Sequence, residues 1–156
     1  MSYRAVRPLA KGGMGTVSLV VKQEGTFRRA YALKRLLPQL RSDPEVRAMF
    51  LREAEIAGLL HHPNVVSVVD FGEDVEGPFL VMDYVHGVSL HQLLKAMSAA
   101  GSRLSTLAVA QIFEPVARGL EAAHELTDHA GGKRSDWCIV MCLLRTSWWA
   151  TTAAVA

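Results

Sequence analysis

The chain has 156 residues, half of them apolar and 21% charged, which suits one globular domain with a real core. A formal net charge of +2, with no basic run of five or more, argues against a nucleic-acid or anionic-membrane surface. The N-terminal stretch Met1–Val6 lacks a signal-peptide core, and the longest apolar run, Cys138–Leu144, is too short to span a bilayer.

In chain order, Arg4–Leu9 and Thr16–Lys22 read as two strands joined by a glycine-rich turn, with Gln23–Phe27 as the following loop and Arg29–Leu36 as a third strand. Ser42 or Asp43 can cap a helix that opens on Pro44 and Glu45 and runs to about Leu60, where Pro63 stops it. Val65–Phe71 and Pro78–Tyr84 read as strands separated by the turn Gly72–Gly77. The pattern predicts a five-stranded antiparallel sheet with one inserted helix. Ser89–Ala99 then reads as a short helix. Ser105 can cap a longer one to about Leu126, with Val109, Ile112, Phe113, Val116, Leu120 and Ala123 at helical spacing and Pro115 as the expected kink. Residues 131–156 hold all three Trp and both Cys and keep no periodicity. Cys138 and Cys142 stand without a second pair, which is poor support for zinc, and two ordinary thiols in a reducing cytoplasm is the expectation.

The glycine-rich turn discriminates between three phosphate-binding designs. A dinucleotide loop opens a helix, but Gly15 is followed by the strand pattern Thr16-Val17-Ser18-Leu19-Val20-Val21. A Walker loop needs Gly-Lys-Ser/Thr, and Gly15 precedes Thr16-Val17. A loop joining two strands and covering phosphates fits. Lys34, seventeen residues after Val17, falls among apolar strand neighbours in Tyr31-Ala32-Leu33-Lys34, where a buried ammonium needs an anion. On the helix, Val46, Met49, Phe50, Ile56, Ala57 and Leu60 form the apolar stripe. Glu53 falls inside it, whereas Arg52 and Glu55 fall outside. A carboxylate on a buried face is costly unless paired, and Lys34 is the obvious partner.

These motifs, in this order, resemble the ATP-binding half of a protein kinase. The wording Lys11-Gly12-Gly13-Met14-Gly15, Phe50-Leu51-Arg52-Glu53-Ala54-Glu55-Ile56 and His62-Pro63-Asn64-Val65-Val66 is most similar to bacterial serine/threonine kinases of the eukaryotic type. The resemblance covers Val6 to about His129. It implies an α+β fold with a kinase N-lobe over 1–85, the first two C-lobe helices over 86–130, and an aberrant tail over 131–156.

It further implies ATP with Mg²⁺ as cofactor and protein Ser/Thr hydroxyls as acceptors. Lys34 and Glu53 would position the phosphates beneath the loop formed by Leu9, Ala10, Lys11, Gly12, Gly13, Met14, Gly15, Thr16 and Val17. Val17 and Ala32 would roof the adenine, Met82 would guard the back of its pocket, and the main chain of Asp83 and Val85 would hydrogen-bond it. Ala10 stands where the family has its first loop glycine, at some cost in backbone freedom.

The resemblance stops before the catalytic loop. No H-R-D-x-x-x-x-N and no D-F-G occurs, so the base and both metal-binding residues are missing and the chain is expected to be inactive. After Ala123-His124-Glu125 the chain reaches Ser135-Asp136-Trp137-Cys138-Ile139-Val140-Met141-Cys142 instead. Joining the last base of each codon to the first two of the next, from Trp137 to Trp149, permits V-H-R-D-V-S-P-Q-N-L-L-V. A frameshift near 131–135 is the expectation.

Overall fold

A computed structural model describes residues 3–126. The readings that fall on 131–156, including the apolar run, both cysteines and the shifted frame, lie outside the described residues.

The chain divides into two units, one of residues 1–61 with 67–84, the other beginning with 62–66 and resuming at Val85. The first holds strands β1 (Tyr3–Lys11), β2 (Gly15–Glu24) and β3 (Phe27–Leu36), a 3₁₀ turn (Pro38–Leu40), helix α1 (Pro44–Leu59), and strands β4 (Val68–Asp74) and β5 (Gly77–Asp83). The sheet order is β1-β2-β3-β5-β4, and every neighbouring pair is antiparallel. The predicted five strands and inserted helix are therefore present.

Register decides which side chains share a face. Val17 stands opposite Lys34, and Lys34 opposite Leu80; Leu19 stands opposite Ala32, and Ala32 opposite Met82. Because strand side chains alternate, these six residues line one face. The other face carries Val20, Leu33 and Val81, with Tyr3, Tyr31 and Phe79 packed against them. Leu80 and Val81 are consecutive and both fully buried, so β5 is covered on both faces. Burial of each such side chain stabilises by about 1.5–3 kcal/mol. Tyr3 lies T-shaped to Tyr31 and to Phe79, with ring centroids 6.1 and 6.3 Å apart. Its hydroxyl donates to Asp70 Oδ2 at 2.6 Å, which joins the two edge strands β1 and β4 across a curved sheet.

Helix α1 begins where the sequence offers a cap. Asp43, not Ser42, fills that role: its Oδ1 accepts from the backbone N–H of Glu45 at 2.9 Å and of Val46 at 3.2 Å, and Pro44 occupies the first turn. Its buried residues are Phe50, Glu53, Ala54 and Ala57. Met49, expected in the stripe, is 45% exposed, because the helix seats a narrower face than the apolar spacing suggests.

Two strand boundaries also differ from expectation. The loop predicted over Gln23–Phe27 contracts to a turn at Gly25-Thr26, since Glu24 pairs with Phe27. β4 starts at Val68 rather than Val65 and continues through Asp74, so the turn predicted over Gly72–Gly77 contracts to Val75-Glu76. Asp74 Oδ1 accepts from the Glu76 N–H at 2.9 Å and closes that turn locally.

The described part of the second unit contains helices α2 (Leu90–Ala99) and α3 (Thr106–Glu125). Ser89 and Gln92 form a capping box on α2, and the Ser105 hydroxyl accepts from the Ala108 N–H on α3 at 3.2 Å. Pro115 lies inside α3. Val65 N–H donates to His62 O at 3.0 Å, so the segment expected to begin a strand turns instead. A Cβ at Gly119 of α3 would stand 3.1 Å from Val65 Cγ2, a tight approach that the glycine avoids. Leu107, Val109 and Phe113 on α3 are 68%, 39% and 53% exposed.

Candidate nucleotide-binding site

The glycine-rich segment connects the end of β1 to the start of β2. Ala10 pairs with Val17 and Lys11 with Thr16, and the Gly12 N–H donates to Gly15 O at 2.8 Å, closing the loop over Gly13 and Met14. The Met14 carbonyl accepts from the Leu37 N–H at 3.0 Å and ties the loop to the chain that follows β3. Gly15 is opposite Leu36, and a Cβ there would collide with the Arg35 carbonyl. Gly13, by contrast, faces open space. Leu9 is half-buried at a bulge in β1. The loop thus has one glycine required by packing and others that leave backbone uncovered toward solvent.

Lys34 Nζ forms an ion pair with Glu53 Oε1, and the two side chains are only 13% and 10% exposed. The ammonium also lies 5.7 Å from the Phe50 ring centroid. Strand β3 supplies the lysine and α1 the glutamate, so the pair fixes the helix against the sheet. An ammonium has three N–H donors, and Glu53 accepts one. The remaining donors suit phosphate oxygens, and Lys34 shares its face with Val17, Ala32 and Met82. Those three are 6%, 7% and 5% exposed, an apolar stretch beside the ammonium.

Asp83 ends β5. Its N–H donates to Ser67 O at 3.0 Å and its carboxylate accepts from Arg29 Nη2 at 2.7 Å. Its N–H and its carboxylate are therefore already engaged. Val85 belongs to the second unit, in the segment between β5 and α2. Among the described residues no group of three or more His, Cys, Asp or Glu is placed to hold a metal ion.

Sequence reasoning missed the ion pairs on both faces of the sheet. Arg35 donates to both carboxylate oxygens of Asp74, at 2.7 and 2.5 Å, and holds that carboxyl below its usual range; partial burial opposes the shift. Arg47 of α1 donates to both oxygens of Glu73 at 3.0 and 3.1 Å. On the far face of the sheet, burial and the Asp70 carboxylate raise the Tyr3 hydroxyl well above its ordinary range, and Glu24 at 2.8 Å raises Lys22. The sequence signal for the first of these was the pair Lys34-Arg35, whose alternation sends two cations to opposite faces of β3.

A two-stranded glycine loop, a buried lysine–glutamate pair and a five-stranded antiparallel sheet with one inserted helix define a kinase-type nucleotide-binding lobe. The family model for the protein kinase domain matches residues 3–127, and the chain belongs to that family. It is 34% identical over 131 residues to the tyrosine-protein kinase MasK of Myxococcus xanthus (strain DK1622), covering 83% of this chain and 20% of that protein. It is 35% identical over 123 residues to the serine/threonine-protein kinase PknJ of Mycobacterium tuberculosis, covering 79% and 20% of the two chains. Among solved structures, the PknI kinase domain of M. tuberculosis superposes with a TM-score of 0.64 at 36% identity, over 79% of this chain and 47% of that one. The chain thus spans a fifth of these curated relatives and about half of that kinase domain.

Proposed function

We propose that this chain is the ATP-holding half of a bacterial serine/threonine protein kinase and does not itself transfer the γ-phosphoryl group. The observation that carries the reading is the buried Lys34–Glu53 pair on the face that also presents Val17, Ala32 and Met82. Lys34 binds the α- and β-phosphates, and Glu53 orients Lys34. The loop glycines Gly12, Gly13 and Gly15 allow backbone N–H groups to approach phosphate oxygens. The Asp83 carbonyl meets the base. Mg²⁺ would neutralise charge on the phosphates in an intact enzyme, but the acids that would hold it have no counterpart in the sequence. Neither does the base that accepts the hydroxyl proton.

Protein Ser/Thr acceptors and a cytoplasmic setting belong to this proposal. The names of relatives such as PknJ support the acceptor class. Among the described residues no helix is long and apolar enough to cross a membrane.

Incubation with Mg²⁺ and γ-labelled ATP plus a generic protein substrate tests the reading. No transfer above background is expected. Robust transfer that Lys34→Met abolishes would show that another acid replaces the missing loop. The competing reading, a damaged reading frame, is separated by resequencing codons 125–156: a single shift restoring H-R-D and then D-F-G would establish it. Their absence in every frame would favour a dedicated noncatalytic nucleotide-binding protein.

A further inference from the structure

Lys34 and Arg35 are consecutive on β3, and Glu73 and Asp74 are consecutive on β4. Lys34 pairs with Glu53, Arg35 with Asp74, and Glu73 with Arg47. Arg47 and Glu53 both lie on α1, six residues and ~9 Å of helix rise apart. The six charges therefore close a ring that passes through the sheet: two neighbours on one strand, two on another and two positions on the helix are joined by three ion pairs, with Arg35–Asp74 on the face opposite the other two.

Resting on the nucleotide reading above, we propose that this ring is the positioning device for Glu53, and that Arg47 and Glu73 are positioning residues acting through it. No residue of α1 before Phe50 is buried, and of its first six positions only Val46 and Arg47 are half-buried, so this end of the helix has little apolar seat. The Arg47–Glu73 ion pair holds this end of the helix to the sheet. Glu73 is a firm anchor because Arg35 clamps the adjacent Asp74 and also donates to the Gly77 carbonyl at 3.2 Å, on the far side of the same hairpin turn. Lys34–Glu53 then holds the helix at a second height. With the first attachment open, α1 can pivot about its C-terminal end, and Glu53 leaves Lys34.

The test uses the full chain with Cys138 and Cys142 changed to Ser and spin labels at Thr26→Cys and Ala48→Cys. The inter-label distance is measured, together with the affinity of a fluorescent N-methylanthraniloyl ATP. Arg47→Glu or Glu73→Arg alone is expected to lengthen and broaden the distance and to weaken the nucleotide ~3-fold, within the range of exposed pairs. The double swap R47E/E73R should restore both. In a Lys34→Met background, Arg47→Glu should cause no further loss of affinity. A distance unchanged by both single reversals, or a double swap that fails to restore it, overturns the proposal. If the parent chain binds no nucleotide, the reading of the site fails, and the distance measurement alone decides the ring.

Discussion

Lys34 of β3 and Glu53 of α1 are nineteen residues apart and form an ion pair whose side chains are 13% and 10% exposed. Taking two charges this far out of water is costly, and apolar residues of similar size would hold the helix at least as well. The pair makes better sense as a held cation with donors to spare, on a face otherwise lined by apolar side chains. On the proposed nucleotide-binding reading, the buried charges follow from what the site would bind.

Removing one partner should expose that cost. Glu53→Gln or Lys34→Met should destabilise the fold by about 3 kcal/mol, since each leaves a buried charge uncompensated. The double variant K34M/E53L should be more stable than either single one. Urea denaturation followed by circular dichroism measures all three. A double variant as unstable as the sum of the singles would mean that the pair itself contributes the stability.

The loop glycines should separate by mechanism. A side chain at Gly15 collides with the Arg35 carbonyl, whereas one at Gly13 meets nothing within 4 Å. Gly15→Ala should cost on the order of 1–3 kcal/mol, as overpacking does. Gly13→Ala should leave the thermal midpoint nearly unchanged. Equal shifts for the two would contradict the described loop geometry.

Acid sensitivity should pass through Asp74. Arg35 lowers its carboxyl below the unfolded value of about 4. Its contribution is then fully present above that value and is lost as pH falls through the lower folded one. Unfolding free energy measured between pH 6 and pH 2 should fall more steeply for the parent chain than for Asp74→Asn. Parallel curves would remove Asp74 from the acid response.

The strands, α1 and both later helices were legible because periodicity and caps are local. Asp43-Pro44-Glu45 announces a helix start, and Ser105 announces another. Glu53 was legible as an acid on a buried stripe. The start of β4 was not, since Val65, Val66 and Ser67 read as strand, and only the turn that brings His62 O to the Val65 N–H removes them. Met49 misled because apolar spacing does not say how wide a face the sheet will cover. Arg47–Glu73 and Tyr3–Asp70 join residues 26 and 67 positions apart and depend on the curvature and register of the sheet, which no local pattern encodes.

An equilibrium titration of N-methylanthraniloyl ATP, with ATP as competitor, tests the central claim most directly. The account predicts saturable binding that ATP displaces and that Lys34→Met weakens at least ~10-fold, the scale of one lost charge-assisted hydrogen bond. Absence of binding by the folded parent chain, or binding that Lys34→Met leaves unchanged, would contradict it.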